Sequence, residues 1–262
     1  MLLCVVIPVY NEAGTIAELF ERLVSTEPPS LPGSDGAIGR QIVIVDDGST
    51  DGSADIVRIL AARPGVSAVF HKTNMGKGSA LRSGFRAALA HGADVVLVQD
   101  ADLEYDPGDH AAVLAPILDG RADAVIGSRF IGQTHRVLYF WHYQANRLIT
   151  LLSNILTNLN LSDIECCLKA FTRPVVERIT IREDRFGVEP ELVAKVSRLW
   201  LDAVPPAPDT DSGRDGAPGR RPCRIYEVAV SYAGRTYDEG KKITWRDGLA
   251  ALGCILRYNL FG

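Results

Sequence analysis

The feature that most restricts the fold is a repeated alternation. A short, almost uninterrupted apolar run is followed by a stretch with apolar residues at helical spacing. Residues 2–7 precede Ile16, Leu19, Phe20, Leu23 and Val24, an i, i+3, i+4, i+7, i+8 stripe. Residues 41–45 precede 51–63, where Ile56, Val57, Ile59 and Leu60 are apolar. Residues 67–70 precede 79–90, where Leu81, Phe85, Ala88 and Leu89 share a face and Gly92 offers a C-cap. Further runs lie at 95–98 and 124–126. Strands without polar alternation are buried on both faces, and parallel neighbours need long crossovers. The pattern predicts an α/β fold with a mostly parallel, doubly covered central sheet.

The 262 residues suffice for a single large domain with a sizeable core. Segments 27–39 (EPPSLPGSDGAIG) and 205–222 (PPAPDTDSGRDGAPGRRP) are rich in Pro, Gly and Asp and read as mobile loops. Residues 139–160 are helical in pattern, with Leu148, Leu151, Leu152, Ile155, Leu156 and Leu159 apolar. Residues 225–231 read as a strand. Thr244 to Asp247 read as a capping box opening a terminal helix, with Trp245, Leu249, Leu252 and Leu256 on one face. That stripe suits core packing or a shallow membrane foot.

A formal net charge of −4 argues against a nucleic-acid binder. Five cysteines with no C-x-x-C spacing argue against a zinc site or a disulfide framework and suit reduced thiols in the cytoplasm. The N-terminal run lacks a basic region and reads as a first strand, not a signal peptide. No window reaches the roughly 20 apolar residues of a spanning helix. The expected location is cytoplasmic, with peripheral contact at the inner face of a membrane.

In such sheets ligands sit beyond the C-terminal ends of the strands, at a topological switch. The strand ends read in order PVYNE (8–12), DDGSTDG (46–52), HKTNMGKG (71–78) and QDADLEYDP (99–107). In the last, Asp100, Asp102 and Glu104 alternate, which would put three like charges on one side of an extended segment. Something positive is needed among them.

Together PVYNE, VDDGSTDGS, NMGKGSA, DADLE and GSR (127–129) resemble family 2 glycosyltransferases of the GT-A fold, closest to the dolichyl-phosphate mannose synthase and polyprenyl-phosphate group. The resemblance runs from Val5 to about Ile243. It implies one glycosyltransferase domain, with a nucleotide-sugar and metal-binding part (1–135) and acceptor-side helices plus a closing loop (136–262). It also implies that Asp100, Asp102 and Glu104 hold Mg²⁺ or Mn²⁺, which prefer hard oxygen ligands. Pro8, Tyr10 and Glu12 would line the base and ribose pocket, with Asp47 or Asp46 on the base edge. Asn74, Gly76 and Lys77 would lie against nucleotide and sugar. RTYDEGK (235–241) is similar to the synthases' Arg-x-Tyr-x-x-Ser-Lys segment, which makes Arg235 and Lys241 a diphosphate clamp.

The implied reaction moves a hexose (mannose or glucose) from a GDP- or UDP-sugar to a polyprenyl phosphate. A phosphate acceptor needs cations for positioning, and Arg129, His135, Arg136, His142 and Arg147 follow the fifth strand. The synthases' D-x-T-S-G-F-R segment is matched by DIECCLK (163–169) at Asp163 and Lys169 only. FGVEPE (186–191) offers the alternative: a hydroxyl acceptor, with Glu189 or Glu191 as general base. Those glutamates also suit a plain helix N-terminus. A non-catalytic nucleotide-sugar-binding module is the third reading.

Overall fold

The computed structural model describes residues 1–31, 33, 37–132, 136–137, 139–202, 219–236 and 245–261, apart from the side chains of 245–247 and 249. The alternation seen in the sequence becomes β1 (Leu2–Val9), α1 (Ile16–Ser25), β2 (Gly39–Asp46), α2 (Ser53–Ala61), β3 (Val66–Phe70), α3 (Lys77–Ala90), β4 (Val95–Val98), α4 (His110–Leu118) and β5 (Ala124–Ser128). Then follow α5 (Phe140–Thr157), β6 (Lys169–Thr172), α6 (Arg173–Arg178), α7 (Val188–Ser197), β7 (Trp200–Asp202), β8 (Arg220–Pro222), β9 (Ile225–Ala229) and α8 (Trp245–Leu260).

Seven strands form one sheet in the order β3-β2-β1-β4-β6-β5-β9. β6 runs antiparallel to both neighbours, β4 and β5, and the other strands are parallel. Alternate residues of β1 serve opposite cores. Leu3, Val5, Ile7 and Val9 pack with α1, α2 and α4, whereas Cys4 and Val6 pack with α3, α6 and α7. Double burial is why these strands carry almost no polar residues. The expected α1 stripe of Ile16, Leu19, Phe20 and Leu23 is fully buried.

Three sequence expectations change. Arg220–Pro222 is a strand rather than loop, because it pairs antiparallel with β7 in a separate two-stranded sheet. Residues 205–218 of that expected loop, and Thr244 of the expected capping box, lie outside the described residues. On α8 the inward face is Ala251, Cys254, Ile255 and Tyr258, while Leu256 points outward, 43% exposed.

The third change concerns α5, whose apolar residues divide between an inward face (Ile149, Leu152 and Leu156) and an exposed one. Its buried residues are Asn146, Ile149, Thr150 and Ser153, three of them polar. Its exposed residues include Trp141, Leu148, Leu151 and Ile155. The polar face is turned inward because it meets Asp163: Asn146 Nδ2 donates to Asp163 Oδ1 (3.1 Å) and Thr150 Oγ1 to Asn146 Oδ1 (3.2 Å). Burying a carboxylate requires such donors.

Candidate active site

β1 has β2 on one side and β4 on the other, so the chain leaves the sheet in opposite directions there and a crevice opens beyond the strand ends. Much of the polar sequence at this rim stitches loops together. Asn11, in the left-handed region (φ 52), accepts Thr50 N–H at Oδ1 (2.8 Å) and donates its own N–H to Ser49 Oγ (3.0 Å). Glu12 N–H donates to Ser53 Oγ (2.8 Å) and Ala13 N–H to Asp51 Oδ2 (3.0 Å). The Ser-Thr-Asp-Gly-Ser run thus fixes the course of PVYNE.

Asp47 holds the next loop. Its Oδ1 accepts Met75 N–H (3.0 Å) and faces His71 Nδ1 (2.6 Å), and its Oδ2 accepts Gly76 N–H (2.6 Å). Gly76 has φ +99, and a Cβ there would lie 2.3 Å from Asp184 O. The same is true of Gly78, whose Cβ would lie 2.1 Å from Glu183 O. These glycines therefore answer to close packing of residues 183–184 against the start of α3. The loop delivers Lys77, whose Nζ lies 2.9 Å from Asp100, 3.1 Å from Glu189 Oε1 and 2.8 Å from Cys167 Sγ. Burial opposes the ammonium, but Asp100, Cys167 and Glu189 hold its pKa well above the ordinary lysine value.

The three acidic residues do not share one side of an extended segment. β4 ends at Val98, and Leu103 takes the left-handed conformation (φ 63), costly for a branched side chain. Glu104 N–H turns back onto Asp102 Oδ1 (3.1 Å). The carboxylates then divide among Lys77, Tyr232 and Arg235, the last shared by Asp102 and Glu104. Asp100 takes Lys77. Glu104 accepts Tyr232 O–H (2.9 Å) and Arg235 N–H (2.9 Å), so it anchors the chain beyond β9. Asp102 has Arg235 Nη2 at 3.3 Å. Burial first, then Asp100 and Glu104, push the Asp102 carboxyl up to about 7.

Among the described residues no three His, Cys, Asp or Glu side chains converge as a metal site. The fit to a divalent cation rests instead on Asp102, a hard-oxygen donor whose charge is under-compensated by its surroundings. Mg²⁺-type sites commonly use one or two carboxylates and take their remaining ligands from water and substrate phosphates. Arg235 spans Glu12 (3.1 and 3.2 Å) as well as Asp102, and its Nε is buried without a hydrogen-bond partner. A diphosphate oxygen would satisfy that donor. Lys241 lies outside the described residues.

On the acceptor side Arg129 forms a bidentate pair with Asp163 (2.6 and 2.8 Å). Burial works against the Asp163 carboxylate, but Arg129 prevails and holds its pKa below the usual range. Glu189 pairs with Lys169, which also donates to Cys166 O. Glu191 is wholly buried and accepts Arg182 N–H (2.7 Å), Glu183 N–H (2.8 Å) and Lys195. Glu165 has Oε1 buried with no hydrogen-bond partner, and burial, with Glu189 beside it, pushes its carboxyl up to about 7.

One cavity of about 1220 Å³ joins these groups. Of the residues expected at the site, Pro8, Tyr10, Glu12, Asp47 and Lys77 line it, as do Asp100, Asp102, Glu104, Arg129 and Arg235. Asp46, Asn74 and Gly76 do not, and of the two candidate bases Glu189 does and Glu191 does not. Tyr105, Tyr232, Glu165 and Cys167 also line it and went unremarked as site residues in the sequence. For Glu165 and Cys167 a signal existed: both stand where DIECCLK departs from the pattern it otherwise resembles.

Comparison with known proteins agrees with this geometry. An undecaprenyl-phosphate 4-deoxy-4-formamido-L-arabinose transferase of Edwardsiella ictaluri is 35% identical over 202 residues, covering 76% of this chain and 57% of that protein. A namesake from Pseudomonas aeruginosa is 33% identical over 201 residues, covering 75% of this chain and 55% of that protein. The chain thus spans little more than half the length of these relatives. Glucosyl-3-phosphoglycerate synthase of Mycobacterium tuberculosis, solved with Mn²⁺, UDP and phosphoglyceric acid, superposes with a TM-score of 0.66 at 19% identity, covering 99% of this chain and 79% of that one. A complex of that enzyme with Mn²⁺, UDP and glucosyl-3-phosphoglycerate gives 0.64 at 20% identity, with 98% and 79% coverage. These are GT-A glycosyltransferases, and the fold here is theirs. Residues 4–180 match the profile of glycosyl transferase family 2, and with that match, on this fold and this rim, the chain belongs to that family.

Proposed function

We propose that this chain is a divalent-metal-dependent, inverting glycosyltransferase that moves a hexose from a GDP- or UDP-sugar to a polyprenyl phosphate, working peripherally at the inner face of a membrane. The observation that carries the reading is the two-ended cavity. It begins among Asp100, Asp102 and Arg235 and runs out among Tyr139, Trp141 and Leu252, between α5 and α8. A nucleotide sugar is polar throughout and a polyprenyl phosphate is amphipathic, and the pair suits one charged and one apolar end. The undecaprenyl-phosphate transferases support this acceptor class. The UDP and Mn²⁺ of the phosphoglycerate synthase complexes support the donor class and the metal.

Asp102, with Asp100 behind it, would hold Mg²⁺ or Mn²⁺, which supplies positive charge where the leaving nucleoside diphosphate becomes more negative. Arg235 exchanges its carboxylate partners for diphosphate oxygens, and Lys241 is the clamp's second cation. Lys77 keeps Asp100 and Glu189 in place beside the sugar. Arg129, oriented by Asp163, presents positive charge to the acceptor phosphate. That phosphate is already anionic near neutral pH, so its oxygen attacks the anomeric carbon without a general base. One displacement from the face opposite the diphosphate inverts the configuration.

One observation favours a second reading, a hydroxyl acceptor. Glu165 lines the cavity, its Oε1 is buried without a hydrogen-bond partner, and its carboxyl is pushed up to about 7, in the range that suits a general base. Glu191 is committed elsewhere, and Glu189 faces two lysines.

The deciding assay is sugar transfer from a panel of GDP- and UDP-hexoses to a short-chain polyprenyl phosphate. Transfer should stop with EDTA and return with Mn²⁺ or Mg²⁺. Transfer indifferent to EDTA, or transfer only to hydroxyl acceptors, defeats the proposal.

A further inference from the structure

The inward face of α5 is accounted for by Asp163 and by Ile149, Leu152 and Leu156 in the core shared with α8, but its outward apolar stripe stays exposed. Along the outward stripe Trp141 is 77% exposed, Leu148 61%, Leu151 56% and Ile155 68%. On the opposite face Thr150 and Ser153 are 4% and 0% exposed. Single exposed leucines are ordinary, but a stripe at i, i+7, i+10 and i+14 on one helix is a continuous patch. Water is the wrong solvent for such a stripe, and its presence implies an apolar neighbour.

We propose that the outward face of α5 lies in the interfacial layer of an anionic phospholipid bilayer, with the helix parallel to the membrane plane. Three observations choose a bilayer over a second copy of this chain. The helix has no Asp or Glu in 18 residues, and its exposed cation, Arg147, stacks over Tyr143 (5.7 Å) at the margin of the stripe. In a two-fold self-contact Arg147 would meet a like charge, whereas acidic headgroups would receive it. Tyr139, Trp141 and Tyr143 cluster at the N-terminal end, a composition suited to the boundary between headgroups and acyl chains. Trp141 and Leu148 also line the cavity, so the site opens directly onto this face.

No described helix is long and apolar enough to cross a membrane, so the contact is one of lying on the surface. Its purpose rests on the lipid-acceptor reading above, because a polyprenyl tail could then reach the site without passing through water. Its observation, the exposed apolar stripe, stands without that reading.

The test is co-sedimentation with vesicles of palmitoyl-oleoyl phosphatidylcholine, with and without phosphatidylglycerol. The pair Leu151→Glu and Ile155→Glu is compared with the unmodified chain. Neither residue lines the cavity, so transfer to a short-chain, water-soluble polyprenyl phosphate should be unchanged in the double variant. The unmodified chain should pellet with the mixed vesicles, and partitioning should fall about tenfold or more in the variant. Leu151→Ser with Ile155→Ser, checked by circular dichroism melting, serves if the charged pair unfolds the chain.

An unmodified chain that stays in the supernatant, or a variant that pellets equally, overturns the proposal. So does a dimer at gel filtration that the variant abolishes, which would make the face a self-contact. Short-chain transfer without vesicle binding removes this inference, and with it the peripheral membrane placement, and leaves the proposed transfer reaction standing. Vesicle binding without transfer to any polyprenyl phosphate does the reverse.

Discussion

Arg235 Nη2 lies 3.3 Å from Asp102 Oδ2 although 133 residues separate them in the chain. The same guanidinium bridges to Glu12 beyond β1. A single side chain thus draws together the segments that follow three strands, β1, β4 and β9. On the proposed function, this is the cation that a diphosphate would recruit.

Replacing Arg235 tests that exchange. Arg235→Lys keeps the charge and loses the planar fork, so it cannot bridge Glu12 and Asp102 together. We expect kcat/KM for the sugar nucleotide to fall about 10²-fold, of the order seen when one transition-state donor is lost. Equal kinetics in the lysine variant would show that Arg235 acts only as a point charge.

Glu104 separates anchoring from ligation. Its oxygens bind Tyr232 and the Arg235 backbone, so Glu104→Gln should disturb the Arg235 segment. KM for the donor should rise roughly tenfold, about 1.4 kcal/mol. The Mn²⁺ concentration giving half-maximal activity should stay put. A large shift in that concentration would make Glu104 a metal ligand after all.

Glu191 is a prediction about stability. Glu191→Ala leaves two backbone N–H groups and the Lys195 ammonium without their buried acceptor, which costs about 3–5 kcal/mol. Chemical denaturation should show the loss, and the folded fraction should retain transfer. An activity loss with unchanged stability would return Glu191 to the list of catalytic bases.

Glu165 carries a pH dependence. Its carboxyl ordinarily titrates at 4.5 and is pushed up to about 7 in the fold. Between those values the folded chain keeps a proton that the unfolded chain has released, so stability falls as pH rises through the window. Glu165→Gln removes that fall. The variant should gain roughly 1–2 kcal/mol above neutral pH and nothing at about pH 4, by melting at both. With a phosphate acceptor its turnover should change less than about tenfold, whereas a hydroxyl acceptor predicts a loss of about 10²–10⁴-fold.

The sheet was legible because double burial writes itself into strands such as 2–7 and 95–98 as runs without polar interruption. β6 was not, since Lys169–Thr172 is short, begins with a lysine and lies in a segment with no hairpin signal. The donor rim could be found because its motifs sit at the strand ends. What each motif does was harder to see. Asp47 and Gly76 look like ligand groups in sequence, yet one holds a loop and the other makes room for the Asp184 carbonyl. The spacing of Asp100, Asp102 and Glu104 suggested an extended segment, and the left-handed Leu103 breaks that geometry. On α5 the leucines announced a helix without saying which side faced inward. Asp163 draws Asn146 inward and with it Ile149, Leu152 and Leu156, which leaves Leu148, Leu151 and Ile155 outside.

The antiparallel course of β6 within the seven-stranded sheet has a bearing on how such proteins change. Because β6 enters the sheet from the rim, the chain departs at Ser128 and comes back at Lys169 on one and the same edge. Everything between is an excursion whose two ends are pinned side by side. It can be lengthened, shortened or exchanged as a cassette while the strands that grip the donor keep their register. If the proposed function holds, transplanting residues 129–168 between family members is the simplest way to redirect what receives the sugar.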